Sequence, residues 1–342
     1  MKKMKKATSV CLATLMAAFA LAGCSGGEVS STPSYAPSSV RAETVDDGEK
    51  VIGVIPKSTM YDYWKMVRLG CEDAAAEEGY TIRYQGTGTD TDIEGQIKIV
   101  EDFVTAGVDA IVISPVNSDS LAPVLEEAAK TIPIIIMDGE LNSDCQETTV
   151  STDNVSAAAM GAQAMVEAIG PDGGLIAVVS EVPGSVQGEQ RERGFIEEIQ
   201  KNEGFELLEV FYSEGDRTKA ANITQDILTE HPEIQGIFAT NEGASVGVSL
   251  TIRDEQRQDV CVIGYDSSMD LIQSIYDGVL TGTVAQDPHN VGYLSVQAAL
   301  KVLKGESVEA TTFVPAVYVD ANNVHDADVI KVLDPLGTLE LS

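Results

Sequence analysis

Cys24 is the residue whose surroundings most directly spell out a reaction. It closes the string Leu21-Ala22-Gly23-Cys24, in which small side chains fit a narrow peptidase site and the thiol is a nucleophile for a diacylglyceryl group. Four lysines in the first six residues and an apolar stretch from Ala7 to Leu21 precede it. That stretch is shorter than the ~20 residues a membrane-spanning helix needs. Residues 1–23 therefore read as a lipoprotein signal peptide. Cys24 reads as the lipidated first residue of an extracytoplasmic chain anchored to the cell membrane.

Other groupings suggest chemistry and lose it on spacing. Gly243-Ala-Ser-Val-Gly247 has the form of a hydrolase nucleophile elbow, but its serine falls inside a helical pattern and no acid and histidine complete a triad. Asp90-Thr-Asp-Ile-Glu-Gly95, with Glu101 beyond it, approaches a calcium loop. An EF-hand would need a helix before Asp90, whereas 81–85 reads as strand. Thr91 or Asp92 serves instead as the N-cap of a helix whose buried stripe is Ile93, Ile97, Val100 and Val104. Gly86-Thr-Gly88 lacks the third glycine of a dinucleotide loop, and His231, His289 and His325 have no ligand spacing. Beyond Cys11 and Cys24 only Cys71, Cys145 and Cys261 remain, an odd number that implies no disulfide framework and leaves any pairing open. No enzyme, metal site or cofactor is expected.

The net charge of −32 places the densest run of basic residues in the leader, so no face can neutralise phosphates and nucleic acid is excluded. Residues 24–50 are rich in Ser, Pro, Gly and acids, with no hydrophobic period, and read as a disordered tether. From residue 51 onward β-branched runs alternate with amphipathic stretches. Strands are expected at 51–55, 81–85, 110–114, 134–137 and 149–151, with helices over 63–78, 93–105 and 121–130. A second series places helices at 155–169, 189–200, 218–229 and 244–253, and strands at 175–179, 207–212, 236–239 and 260–265. This alternation predicts βαβ units and parallel sheets with helices on both faces. The runs ending near Asn117 and Asn241 correspond, so the fold class is α/β, with two similar doubly wound lobes. Ligands of such sheets bind beyond the carboxyl ends of the strands.

Taken together, an ordered set of strand-end residues resembles the type I periplasmic sugar-binding proteins of the ribose-binding group. The resemblance runs from about Lys50 to Pro315. It is carried by Val51-Ile-Gly-Val-Ile-Pro56, Tyr63-Trp64 before Gly70, Asp109-Ala-Ile-Val-Ile-Ser-Pro115, Pro133-Ile-Ile-Ile-Met-Asp138, Ser151-Thr-Asp-Asn154, Arg191-Glu-Arg-Gly-Phe195, Phe238-Ala-Thr-Asn241, Val262-Ile-Gly-Tyr-Asp266 and Thr283-Val-Ala-Gln286. It implies that Tyr63 and Trp64 stack on the apolar faces of a sugar ring. Asp138, Arg193, Asn241, Asp266 and Gln286 would bond its hydroxyls, and Tyr265 would add an apolar wall. These roles suit a ring with C–H faces and an equator of donors and acceptors.

The resemblance also implies an ABC permease as partner, a monomer, and a hinge of three crossings near 152–153, 285–286 and 315–317. The lobes would comprise 51–152 plus 287–315, and 153–286 plus 316–342. The ribose-type pattern has an arginine after the first aspartate where this chain has Gly139. It has an aromatic where this chain has Gly215, and an asparagine where this chain has Tyr61. Those departures leave room for a larger or differently decorated ligand. Lys57, after the first strand, is similar to a lysine used by autoinducer-2-binding members, which keeps open a sensor that presents its ligand to a membrane receptor.

Overall fold

The computed structural model describes residues 48–334. The leader, Cys24, most of the tether and the tail beyond 334 lie outside the described residues. The chain builds β1 (Val51–Ile55), α1 (Asp62–Glu77), β2 (Thr81–Tyr84), α2 (Ile93–Ala106), β3 (Ala110–Ile113), α3 (Ser118–Ala128), β4 (Ile134–Met137) and β5 (Thr148–Thr152). It continues with α4 (Asn154–Ile169), β6 (Gly174–Ser180), α5 (Val186–Ile199), β7 (Phe205–Tyr212), α6 (Arg217–Glu230), β8 (Gly236–Ala239), α7 (Glu242–Asp254), β9 (Cys261–Tyr265), α8 (Met269–Tyr276) and β10 (Gly282–Ala285). The described chain closes with α9 (Pro288–Leu303), β11 (Thr311–Val314), β12 (Val317–Asp320) and α10 (Ala327–Leu333).

Two six-stranded sheets result, ordered β11-β5-β4-β3-β1-β2 and β12-β10-β9-β8-β6-β7. Every pairing is parallel except β12 against β10. The central strands β1, β3, β4 and β8 are buried along their whole length because helices cover both faces. In β1, Ile52 and Val54 enter one core with α1 and α9, while Val51 and Ile55 enter another with α2 and α3. The same split places Ala177 and Val179 of β6 on one side of the second sheet, and Ile176 and Val178 on the other.

The chain leaves the first sheet between β5 and α4, returns between β10 and α9, and crosses again between β11 and β12. Everything after Tyr265 was read from sequence only as strand-end landmarks and crossings, yet it forms six further elements. The start of α9 did carry a signal: Asp287 caps it through Oδ1 to the Asn290 amide at 3.0 Å, and Pro288 occupies the first turn, where a missing N–H costs nothing.

The two decoy motifs have structural roles. Asp92 caps α2, its Oδ1 accepting from the Gly95 amide at 2.9 Å. Ser245 is fully buried inside α7, donating to the Asn241 carbonyl at 2.7 Å and accepting from the Tyr265 amide at 2.8 Å.

The contact between α1 and α9 fixes the first lobe's returning helix. A Cβ at Gly70 would lie 1.9 Å from the His289 carbonyl oxygen, and one at Gly292 would lie 2.1 Å from that of Val67. The two backbones touch through reciprocal glycines, and neither can accept a methyl group without separating the helices. Gly70→Ala and Gly292→Ala are each expected to destabilise by about 2–3 kcal/mol, the scale of overpacking in a tight core. Urea denaturation should show the midpoint falling; an unchanged midpoint in both variants would contradict this packing.

Candidate functional site

The strand ends of both sheets deliver polar side chains to one place. Asp138 follows β4, Glu181 follows β6, Asp266 follows β9 and Gln286 follows β10; Lys57 lies just past β1, and Asn241 and Glu242 just past β8. With Tyr61, Tyr63 and Trp64 at the start of α1, Asp90 from the β2–α2 loop, and Gln187 and Arg191 on α5, they line one cavity. This is the carboxyl edge of both sheets, where open α/β folds place their sites.

The two aspartates are built alike. Asp138 and Asp266 have φ of 46° and 72°, a left-handed conformation that costs on the order of 1 kcal/mol or more in a non-glycine residue. Each donates its amide to the neighbouring strand, to Val150 O at 2.8 Å and Val284 O at 2.9 Å. Each carbonyl accepts from a buried hydroxyl, Ser114 at 2.9 Å and Thr283 at 2.8 Å. These bonds hold the strained turn and leave the carboxylates at the cavity.

Asp266 then accepts from the Glu242 amide at 2.8 Å and from Gln286 Nε2 at 2.5 Å. Because that amide nitrogen is committed to a carboxylate, Gln286 Oε1 is oriented away from it, and it has no hydrogen-bond partner. Asn241 caps α7, its Oδ1 accepting from the Ala244 amide at 3.0 Å, so its Nδ2 is the group free to donate.

Arg191 is the buried cation of the site. Its Nε donates to Asn154 Oδ1 at 2.8 Å and its Nη1 to the Thr240 carbonyl at 2.9 Å, while its guanidinium lies 4.0 Å from the Tyr265 ring centroid. The Tyr265 hydroxyl donates to the same Asn154 oxygen at 3.1 Å. Tyr265 is therefore not the cavity wall expected from the sequence; it is fully buried beneath Arg191.

Arg193, the arginine assigned to the site from the sequence, is exposed. It lines a separate depression with Glu140, Gln190 and Phe313. The reason is helical phase. The buried stripe of α5 runs Gln187, Gly188, Arg191, Gly194, Phe195 and Ile199, and a residue two positions from Arg191 points about 200° away. Spacing by four from Phe195 was the signal that selects Arg191 and Gln187. Glu181 was also missed, although it occupies the strand-end position that singled out Asp138; Glu242, at the first turn of α7, and Asp90, in a loop, carried no such signal.

One departure from the ribose-type pattern is filled from across the cleft. The Tyr61 hydroxyl donates to the Gly215 carbonyl at 3.1 Å, and a Cβ at Gly215 would fall 2.5 Å from that hydroxyl. The aromatic absent at 215 is thus replaced by one reaching over from the first lobe, and the room anticipated there is taken. Lys57, on the same lobe as Gly139, is a cation whose field acts on Asp138. Its Nζ donates to Gln187 Oε1 at 3.1 Å and lies 4.0 Å from Glu181. Tyr63 and Trp64 meet edge to face, ring centroids 5.0 Å apart.

The sequence profile of the periplasmic binding protein domain matches residues 52–307. The chain belongs to the periplasmic binding protein family. Among its relatives, the ribose import binding protein RbsB of Bacillus subtilis (strain 168) is 30% identical over 316 residues, spanning 91% of this chain and 98% of that protein. A carbohydrate transporter solute-binding protein from Agrobacterium radiobacter, solved with D-arabinose, superposes with a TM-score of 0.81 at 33% identity, covering 84% of this chain and 99% of that one. An ABC transporter solute-binding protein from Agrobacterium vitis with bound D-fucose gives 0.79 at 31% identity, covering 83% and 99%. Members of this family bind substrates rather than transform them, and the chain is a binding protein, not an enzyme.

In this periplasmic binding protein the enclosed charges disturb one another. Burial raises the carboxyls of Asp138 and Asp266 above the ordinary range, against the opposing pull of Arg191. Burial would do the same to Glu181, but Lys57 and Arg191, with bonds from Ser185 and Gly188, outweigh it and hold that carboxyl low. Glu242 is pushed up to about 7 by burial and by Asp266, only partly relieved by Arg217, with Asp62 adding repulsion.

A carboxyl whose folded pKa lies above its unfolded value binds a proton in the folded state first. Its contribution therefore favours folding increasingly as pH falls from about 7 towards 4.5, and opposes folding above that window. Glu242→Gln removes this penalty. At pH 7.5 the ligand-free variant should unfold at higher temperature than the parent, by at most on the order of 3 kcal/mol, and the difference should shrink at pH 5. Thermal melts across that range decide it, and a gap independent of pH would contradict the assignment.

Proposed function

We propose that this protein captures a single sugar ring in the interlobe cavity and presents it to an ABC permease for import. One observation carries the reading: two buried, left-handed aspartates, one from each sheet, converge on a cavity that also holds Arg191 and one wall of aromatic rings. A sugar needs flat apolar surface against its C–H faces and charge-assisted bonds to its hydroxyls, and the cavity offers both. The named ligands of its relatives, ribose, D-arabinose and D-fucose, are single rings of that kind.

In this reading the ligand-binding residues are Tyr61, Tyr63, Trp64, Lys57, Asp138, Arg191, Asn241, Asp266 and Gln286, with Arg193 outside the set. Residues 51–152 with 287–315 and residues 153–286 with 316–334 act as the two lobes, closing about the three crossings when ligand bridges them. Cys24 carries the lipid anchor, and the protein works as a monomer outside the cytoplasm. Transport is favoured over a sensor's role because the relatives are import and transporter proteins.

Thermal shift and calorimetry against pentoses and hexoses test the proposal, since a ligand bound only by the folded state raises the melting temperature by mass action. Asp138→Ala, Asp266→Ala and Arg191→Ala should each weaken the best sugar by at least about 100-fold, the scale of losing a charged hydrogen-bonding partner in a buried site. Arg193→Ala should leave affinity within about twofold. Equal losses at Arg191 and Arg193, or none at either aspartate, would overturn the site.

A further inference from the structure

The cavity holds more negative charge than a neutral sugar calls for. Five carboxylates line it, Asp90, Asp138, Glu181, Glu242 and Asp266, against two enclosed cations, Lys57 and Arg191. The nearest further cation, Arg217, is half exposed and divides itself between Glu242 Oε1 at 2.9 Å and Asp270 at 3.0 Å. Glu181 is matched by Lys57 and its hydrogen bond from Ser185. The surplus therefore falls on Asp90, Glu242 and the pair of aspartates that share Arg191.

Most of the cavity's polar atoms left without partners point the same way, the Tyr63 hydroxyl being the one that can donate. Glu242 is 2% exposed, Asp138 4% and Gln286 2%, and Glu242 Oε2, Asp138 Oδ1, Asp90 Oδ1 and Gln286 Oε1 have no hydrogen-bond partner. All four are acceptors. A buried carboxylate oxygen with no donor is costly, more so than a neutral group. A hydroxyl can give such an oxygen one proton but brings no charge, whereas an ammonium group brings up to three donors and a full positive charge.

Resting on the sugar-binding reading above, we propose that the preferred ligand is an aminated sugar whose protonated amino group sits at the carboxylate side of the cavity, against Glu242 and Asp266. The ring itself rests on Tyr63 and Trp64, and Lys57 and Arg191 bond its hydroxyls. The surplus carboxylates then determine specificity for charge, while the aromatic wall and paired aspartates recognise the ring.

The test is calorimetric titration of the unmodified protein, at pH 7, with D-glucose, D-galactose and their 2-, 3-, 4- and 6-amino-deoxy derivatives, alongside the N-acetylated forms that keep the nitrogen but lose the charge. At least one amino sugar should bind 10-fold or more tightly than its parent and than its N-acetyl form. Glu242→Gln should reduce that ratio about 10-fold. Parent hexoses binding as tightly as every amino derivative would overturn the inference while leaving sugar binding intact. Failure of both series and of the pentoses would instead overturn the sugar reading on which it depends. A ratio unchanged in Glu242→Gln, with the preference present in the parent, would remove Glu242 from the amine's position and overturn that assignment.

Discussion

The structure turns on the cost of holding ionised groups out of water. Asp138, Asp266 and Arg191 are all buried, and none could be kept there singly, because an unpaired buried charge costs several kcal/mol. Much else in both lobes serves this cluster. Asn154 fixes the guanidinium from below, Thr240 gives it a carbonyl, Tyr265 underlies it, and Ser114 and Thr283 pin the two aspartate turns. These partners come from the residue after β3, from β9 and β10, from the start of α4 and from the turn between β8 and α7, so the cluster ties the ends of separate elements to one point. The strain at both aspartates follows from the same need, since a left-handed residue directly after a strand redirects the side chain sharply without an intervening loop.

The architecture was legible because parallel sheets write themselves in long apolar runs. Ala110–Ile113 and Ile134–Met137 are buried along their whole length, and amphipathic stretches between such strands leave few alternative topologies. The last third was less legible: β11 and β12 are four residues each and only partly buried, and their pattern says little without their partners β5 and β10. Strand-end residues such as Asp138, Asp266 and Gln286 could be located because a strand fixes which residue emerges at its end. Arg191 was confused with Arg193 because on a helix neighbouring charged residues differ by phase, and only the buried stripe tells them apart.

The substitutions across the cleft show why position-by-position comparison with a pattern misleads about volume. Gly139 and Gly215 read individually as losses of an arginine and an aromatic. In three dimensions Tyr61 approaches Gly215 from the start of α1, and that glycine makes way for it, while Lys57, just past β1, acts on Asp138 from the same lobe as Gly139. At Tyr61 and Gly215 the space is filled between lobes, a coupling that sequence order hides because the two lie 154 positions apart. The consequence is that part of the second lobe's cavity edge is supplied by the first, so the cavity's shape depends on the lobes being together.

That dependence bears on how closure is coupled to capture. Lys57 to Gln187, Gln187 to the Asp138 carbonyl and Tyr61 to Gly215 are bonds between lobes that involve no ligand, and they stabilise the closed arrangement by themselves. The crowded carboxylates act in the opposite sense, because closing buries Asp138 and Asp266 near one another and leaves oxygens without donors. A ligand can shift this balance only by what it gains in the closed state beyond the open one. The unpartnered acceptors supply that difference: in an open cleft water would satisfy them, whereas in a closed one only the ligand can. If the lobes close on ligand as proposed, the same oxygens that make an empty closure costly make a filled one selective, and repulsion within the site couples occupancy to shape.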